Sequence, residues 1–254
     1  MATYFIIMSI THWIIILSIV FLSGIVKGTT GFGFALFSLP LLVHFIPIKN
    51  LVPIITLFNL FSSIQIIVQS KHLRLNRSIV LLSVTGILGV TVGSLVLKFM
   101  ADKWLKLMTA AMLIVLSFMF LAGYRFRIHK FRRGNALAGL ISGFLGGSTS
   151  VSGPPLALFL TSLNLDTARF RFTFAWFSII TATVALFDYI KIGVVHESTF
   201  KIFFLSLPIV IVSIELGKYI SRKISQQLFY KASIIVTLMA GILLFYTCFR
   251  ECLL

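Results

Sequence analysis

Acidic residues are scarce in this chain, with six Asp and Glu among 254 residues against 22 Lys and Arg. Charge of either sign is scarce as well, at 11% of residues where soluble domains carry roughly 25%. A water-facing surface cannot be built from that, so the composition implies a bilayer as solvent. No acidic pair stands at helical spacing, and the His residues lie near the ends of apolar runs, so no nucleophile–base or paired-acid constellation of an intramembrane hydrolase is present. An enzyme is therefore not expected. Cys248 and Cys252 are the only cysteines, spaced i, i+4 near the chain end without a nearby His, which makes a poor metal site. No metal or cofactor is expected, and no P-loop pattern occurs. No Lys or Arg precedes Lys27, so the N-terminal apolar run lacks the basic region of a secretory signal and reads as a retained membrane segment.

What the chain has is apolar length. Hydrophobic residues make up 59% of it, and the mean hydropathy is +1.07. Runs at 51–68, 79–97 and 105–123, among others, approach the ~20 residues that a spanning helix needs. The formal net charge of +16 raises the question of nucleic acid. The basic residues sit in short loops between apolar runs, however, as the positive-inside bias of a polytopic membrane protein requires. No Arg/Lys–aromatic nucleic-acid module is visible, and nucleic acid is not an expected partner.

Two Gly/Ser/Thr-rich breaks interrupt the apolar runs, at Gly28-Thr29-Thr30-Gly31-Phe32-Gly33 and at Gly146-Gly147-Ser148-Thr149-Ser150-Val151-Ser152-Gly153. At an offset of 119 positions, Ser23, Gly24, Gly28 and Thr30 fall on Ser142, Gly143, Gly147 and Thr149. Apolar elements at 9–27, 32–47, 51–69, 77–98 and 104–123 are followed by a second set at 135–146, 153–164, 170–190, 202–221 and 228–249. The basic stretch Arg125, Arg127, Lys130, Arg132 and Arg133 divides them. The expected organisation is a first membrane repeat at 1–124, a basic linker at 125–134 and a second repeat at 135–254.

Residues 135–164 are too few for two full spans, so they form either one kinked crossing or a re-entrant hairpin. Kinked crossings would give parallel repeats, and hairpins inverted ones. With the linker inside, the parallel arrangement splits the loop charges almost evenly. The inverted arrangement places Lys71, Arg74, Arg77, the linker, Arg169, Arg171, Lys218, Arg222, Lys223 and Lys231 inside, twice as many as it leaves outside. Only the inverted arrangement has the asymmetry that orients membrane proteins. The fold expected is thus an all-α polytopic membrane protein of two inverted repeats, each with a broken re-entrant hairpin and about three spanning helices.

Backbone that leaves helix inside hydrocarbon persists only where protein or a wet cavity satisfies it. Broken helices at matching places in two halves point to a transporter's binding site. A helix restarting at such a tip presents unpaired N–H groups and a partial positive charge, which hold anions. The second break suits a restart, with Ser152 or Gly153 as cap and Pro154 and Pro155 in the first turn. The expected substrate-binding residues are Lys27, Gly28, Thr29, Thr30, Gly31 and Gly33 in the first break, and Gly147, Ser148, Thr149, Ser150, Ser152 and Gly153 in the second. Close helix packing is the competing use for such small residues. Lys27 either serves an anionic substrate or snorkels to a surface, and its counterpart Gly146 shows that the scaffold does not need the charge twice. Asn59, Ser62, Ser63, Gln65, Ser178, Thr181 and Thr183 either line a cavity or bond between helices. Glu215 with Lys218, and Asp188 with Lys191, read as surface ion pairs.

The motifs Gly24-x3-Gly28-Thr29-Thr30-Gly31-Phe32-Gly33 followed by Pro40, and Gly139-x3-Gly143-x3-Gly147 followed by Gly153-Pro154-Pro155, resemble the TauE/SafE family of sulfite exporter-like permeases. Length, two-part layout and the basic central stretch extend the resemblance over nearly the whole chain. It implies a multi-pass permease in the cell membrane, the inner one in a Gram-negative bacterium, carrying small anions such as sulfite or sulfonates. The residues themselves reach only as far as an anion transporter, with a membrane scaffold or assembly protein as the alternative. Substrate, direction, oligomeric state and coupling, whether uniport or through a proton, are left open.

Overall fold

The computed structural model describes residues 10–69, 77–122, 131–163, 165–223 and 226–253. The described residues form helices and turns only. In chain order the helices are α1 (Ile10–Thr30), α2 (Phe34–Leu42), α3 (Ile48–Gln69), α4 (Arg77–Phe99), α5 (Asp102–Leu121), α6 (Phe131–Thr149), α7 (Gly153–Ser162), α8 (Thr167–Lys191), α9 (Glu197–Lys223) and α10 (Gln226–Leu253). Segments within α1, α3, α4, α8 and α9 are long and apolar enough to cross a membrane. These helices follow the order of the ten apolar elements expected from sequence. The linker residues Arg125, Arg127 and Lys130 lie outside the described residues, as do Lys71 and Arg74.

Contact registers give the helix directions. Gly24 faces Ser213 and Gly28 faces Gly217, so α1 and α9 run parallel. Gly139 faces Leu82, Gly143 faces Gly86 and Gly147 faces Val90, so α4 and α6 also run parallel. Phe58 against Phe203, with Gln69 against Lys218, aligns α3 with α9. Thr181 beside Gly86, with Asp188 bonded to Ser94, aligns α8 with α4. Lys27 lies by Phe174 while Thr29 lies by Arg171, so α1 and α8 are antiparallel. The two five-helix sets therefore run in opposite directions.

Each set opens with a hairpin that returns to its own side. The His12 ring at the start of α1 lies 6.0 Å from that of Phe45, in the turn between α2 and α3. Likewise, Gly134 and Ala138 near the start of α6 share a crevice with Phe159 near the end of α7. The first arms are longer than expected. Helix α1 runs for 21 residues and α6 for 19, through Thr30 and Thr149, where the sequence had suggested that helix stops before the glycines. In these last turns Thr29, Thr30, Ser148 and Thr149 turn their hydroxyls onto carbonyls three or four residues back.

Packing between the sets relies on small residues. A Cβ on Gly217 would come within 2.9 Å of Gly28 Cα, and one on Gly93 within 2.9 Å of Ser148 N. With no hydrophobic force between helices in lipid, such close backbone approach is what brings them together. Helix α1 pairs with α9 and α6 with α4, while α3 packs on α8 and α5 on α10. Behind α2, the Phe34, Phe58 and Phe203 rings fill the core at 5.2–5.3 Å between successive centroids.

These directions put Arg77, Arg133, Arg169, Arg171, Lys218 and Lys223 at the linker end of the bundle. Lys49, Lys98, Lys103, Lys106, Lys191, Lys201 and Arg250 lie at the other end. Sequence order adds Arg132, Arg222 and Lys231, with the connecting residues Lys71, Arg74, Arg125, Arg127 and Lys130, to the linker end, which then carries twice the Lys/Arg of the other; that bias assigns it to the cytoplasm. In a variant with both native cysteines replaced by Ser, a single Cys at Arg133 should react with an impermeant thiol reagent only from inside, and one at Arg250 only from outside. Labelling of both from one face would break this topology.

Candidate functional site

The first break is three residues long. Gly31 and Gly33 have φ of +84° and +97°, a region that side chains avoid, so the turn depends on glycine at both places. Thr30 ties the turn together: its hydroxyl donates to Val26 O at 2.7 Å and to Phe32 O, and accepts from Phe32 N at 3.2 Å. The carbonyl end of α1 is closed by α8, where the Arg171 guanidinium donates to Thr29 O. Its aliphatic stem lies over Gly31, where a Cβ would come within 2.6 Å of Cγ.

The second break is built by different residues to the same end. Ser150, rather than a glycine, takes the positive φ, at +60°. Its N–H donates to Gly146 O at 2.9 Å, and its hydroxyl donates to Val52 O at 2.8 Å and pairs with Thr56 Oγ1. The fully buried Tyr189, near the other end of α8, donates its hydroxyl to Gly147 O at 2.7 Å and Gly146 O at 3.3 Å. Carbonyls freed at both breaks thus find donors on one helix.

The breaks meet. A Cβ on Gly153 would lie 3.3 Å from Phe32 and 4.0 Å from Gly33 N. Beside this point are two small chambers. One, of about 20 Å³, lies among Thr56, Asn59, Ser150, Ser152, Ser178 and Thr181. The other, of about 10 Å³, lies among Gly33, Ala35, Leu36, Asn59, Ser152, Gly153 and Phe174. Asn59, Ser150 and Ser152 belong to both, and Asn59 donates to Ser150 O at 3.4 Å. The smaller chamber is thus lined by the first turns of α2 and α7. Gly33 and Ser152 hold the N-cap positions of those helices, and neither first turn has a side-chain cap. Ser152 occupies the expected cap position without using its hydroxyl as a cap, which leaves that hydroxyl to the chamber.

Of the residues expected at the site, Gly33, Ser150, Ser152 and Gly153 line the chambers. Gly31 sits at the tip under Arg171. Gly28 and Gly147 sit at the helix crossings, against α9 and α4. Thr29, Thr30, Ser148 and Thr149 bond their own helices. Lys27 is 1% exposed and reaches no surface. Its Nζ lies 3.4 Å from Ser63 Oγ and 5.4 Å from the centre of the Phe174 ring that lines the smaller chamber. Among the described residues no carboxylate pairs with it.

Asn59, Ser178 and Thr181 line the larger chamber, whereas Thr183 is exposed and bonds Ile179 O. The Glu215–Lys218 pair forms at 2.8 Å, joined by Gln65 and Gln69. The expected Asp188–Lys191 pair does not. Asp188 accepts from Ser94 at 3.1 Å, and Lys191 lies over the Phe187 ring. Sequence reading had passed over Thr56 and Tyr189 and had counted Arg171 only as a loop charge. Their partners are distant backbone and break residues, which local spacing does not reveal.

A multi-pass helical membrane protein centred on two broken helices has the architecture of a secondary permease. Over residues 16–244 the chain matches the family described as Sulfite exporter TauE/SafE, and it belongs to that family. Membership makes it a membrane transporter of sulfite-like anions. Neither a curated protein nor a solved structure matches it.

The Tyr189 bond carries its own test. Tyr189→Phe keeps the ring and leaves Gly147 O unpaired in a buried place, which should cost about 1–3 kcal/mol of unfolding free energy in detergent. Thr183→Val, on an exposed face, should stay within about 0.5 kcal/mol of the parent. Equal stability of Tyr189→Phe and parent would remove the tyrosine from the support of the break.

Proposed function

We propose that this protein moves a small sulfur oxyanion, sulfite or a sulfonate, bound between the first turns of α2 and α7 and contacted by Asn59, Ser150 and Ser152. The observation that carries this reading is the pair of helix N-termini without side-chain caps on one polar chamber. Uncapped first turns carry a partial positive charge, and α2 adds backbone N–H donors, whereas Pro154 and Pro155 leave α7 only the Gly153 N–H among its first three residues; an anion is complementary to both. Lys27 adds a buried cationic group behind Phe174, and its long-range attraction favours anions over neutral sulfur compounds.

On this reading the halves 1–124 and 135–254 are inverted repeats around the linker at 125–134. Reciprocal pairing of α1 with α9 and α6 with α4 supports it, as do the opposite directions of the two sets. Alternating access then comes from rocking one half against the other around the fixed breaks. The chambers have room for little more than a water molecule, as befits a site closed between its two open states.

Ligand-induced stabilisation in detergent tests the reading with sulfite, thiosulfate, sulfonates, carboxylates and neutral sulfones. An anion at ~100 times its dissociation constant should add about 2.7 kcal/mol of apparent stability. Ser152→Ala should weaken that anion by about 0.5–1.5 kcal/mol. Gly31→Val should weaken it further, because a branched side chain resists positive φ and strikes the Arg171 stem. Lys27→Gln should narrow the gap between anionic and neutral ligands. Stabilisation by neutral compounds alone would sink the proposal.

A further inference from the structure

We propose that the crevice between α5, α6 and α7 is a binding site for an anionic glycerophospholipid, with one acyl chain inside and its phosphate on Arg133. The crevice encloses about 420 Å³, within the range of built ligand sites of roughly 300–1,000 Å³. Its walls are Met112 and Leu116 from α5, Ile141 and Leu145 from α6, and Leu158 and Phe159 from α7. Such walls offer nothing to a small oxyanion, so the occupant is not the transported substrate. Leu137 and Ile141 on its rim are 60% and 48% exposed, so the crevice opens sideways into the bilayer.

The charge pattern selects the kind of lipid. Among the described residues, Arg133 is the one charged residue that lines the crevice. It stands in the first turn of α6, at the end of the bundle where the Lys/Arg bias places the cytoplasmic headgroups. A chain buried between α6 and α5 brings its phosphate to that level, and one Arg near an anionic surface favours it by roughly 1 kcal/mol, about fivefold. Met112 and Met119 give the α5 wall adaptable side chains suited to a mobile chain. In the other half α10 packs directly on α2, so the lipid occupies a gap that belongs to one half.

Native mass spectrometry of the full chain, purified with phosphatidylglycerol or phosphatidylcholine of identical acyl chains, tests this. The parent should retain one phosphatidylglycerol about fivefold better than phosphatidylcholine. Arg133→Gln should bring the two lipids to parity. Ile141→Trp, which fills the crevice from its exposed rim, should lose both, and Leu137→Trp serves the same purpose if that variant does not fold. Millimolar inorganic phosphate should displace neither lipid. Equal retention of both lipids by the parent, an undiminished preference in Arg133→Gln, or displacement by phosphate would each overturn the proposal.

Discussion

Opening a helix inside hydrocarbon frees backbone polar groups that no lipid can satisfy, and this constraint organises the molecule. Helix α8 answers it at both breaks. Arg171 near its start donates to the end of α1, and Tyr189 near its end donates to the end of α6. Eighteen residues of helix separate these two side chains, about 27 Å at 1.5 Å per residue. A single rigid rod thus anchors two tips that arrive from opposite sides. Polar satisfaction at the breaks is also lopsided. The freed carbonyls of Thr29, Phe32 and Gly147 have protein donors, whereas the first turns of α2 and α7 have no side-chain acceptor. On the proposed reading the donors left open, chiefly those of α2 because Pro154 and Pro155 carry no N–H, complement a ligand rich in acceptors.

The same small residues serve packing and opening at once. Gly28 and Gly147 lie one turn before their breaks, and each lets a neighbouring helix backbone approach closely. The crossings hold α1 on α9 and α6 on α4, so each broken helix is clamped to the opposite half of the chain. Beyond these crossings the two tips touch, with Gly153 against Phe32.

The positions of the breaks could be read from sequence because few residue types tolerate them. Gly31 and Gly33 adopt positive φ, which a Cβ resists, whereas the second break puts Ser150 there and is marked instead by Gly146-Gly147 before it and Pro154-Pro155 after it. The division of labour among their neighbours was not legible. Glycine at 28 and at 33 looks identical in sequence, yet one faces a crossing helix and the other a chamber, because helical phase and partner geometry decide. Hydroxyls misled for a related reason. Thr29, Thr30, Ser148 and Thr149 have a carbonyl within reach in their own last turn, and that local bond is made before any ligand is considered. Ser150 and Ser152 lie past the helix end and have no such carbonyl to return to. Arg171 stayed hidden among loop charges because its partner is a backbone oxygen 142 positions away.

The halves are alike in path but not in charge or in packing. At the 119-position offset of the proposed repeat, Lys27 falls on Gly146. Burying a cationic group without a carboxylate is costly in any medium of low polarity. That cost, or the loss of charge that avoids it, falls at a place where the Phe174 ring is shared with the smaller chamber. On the proposed reading an arriving anion supplies the missing counter-charge, so the loaded closed state is relieved of a penalty that the empty closed state bears. Such a difference favours closure with cargo over closure without it, which is the discrimination a carrier needs. Because the group sits in one half only, the relief is tied to that half's tip, and the two directions of rocking need not be equal in energy.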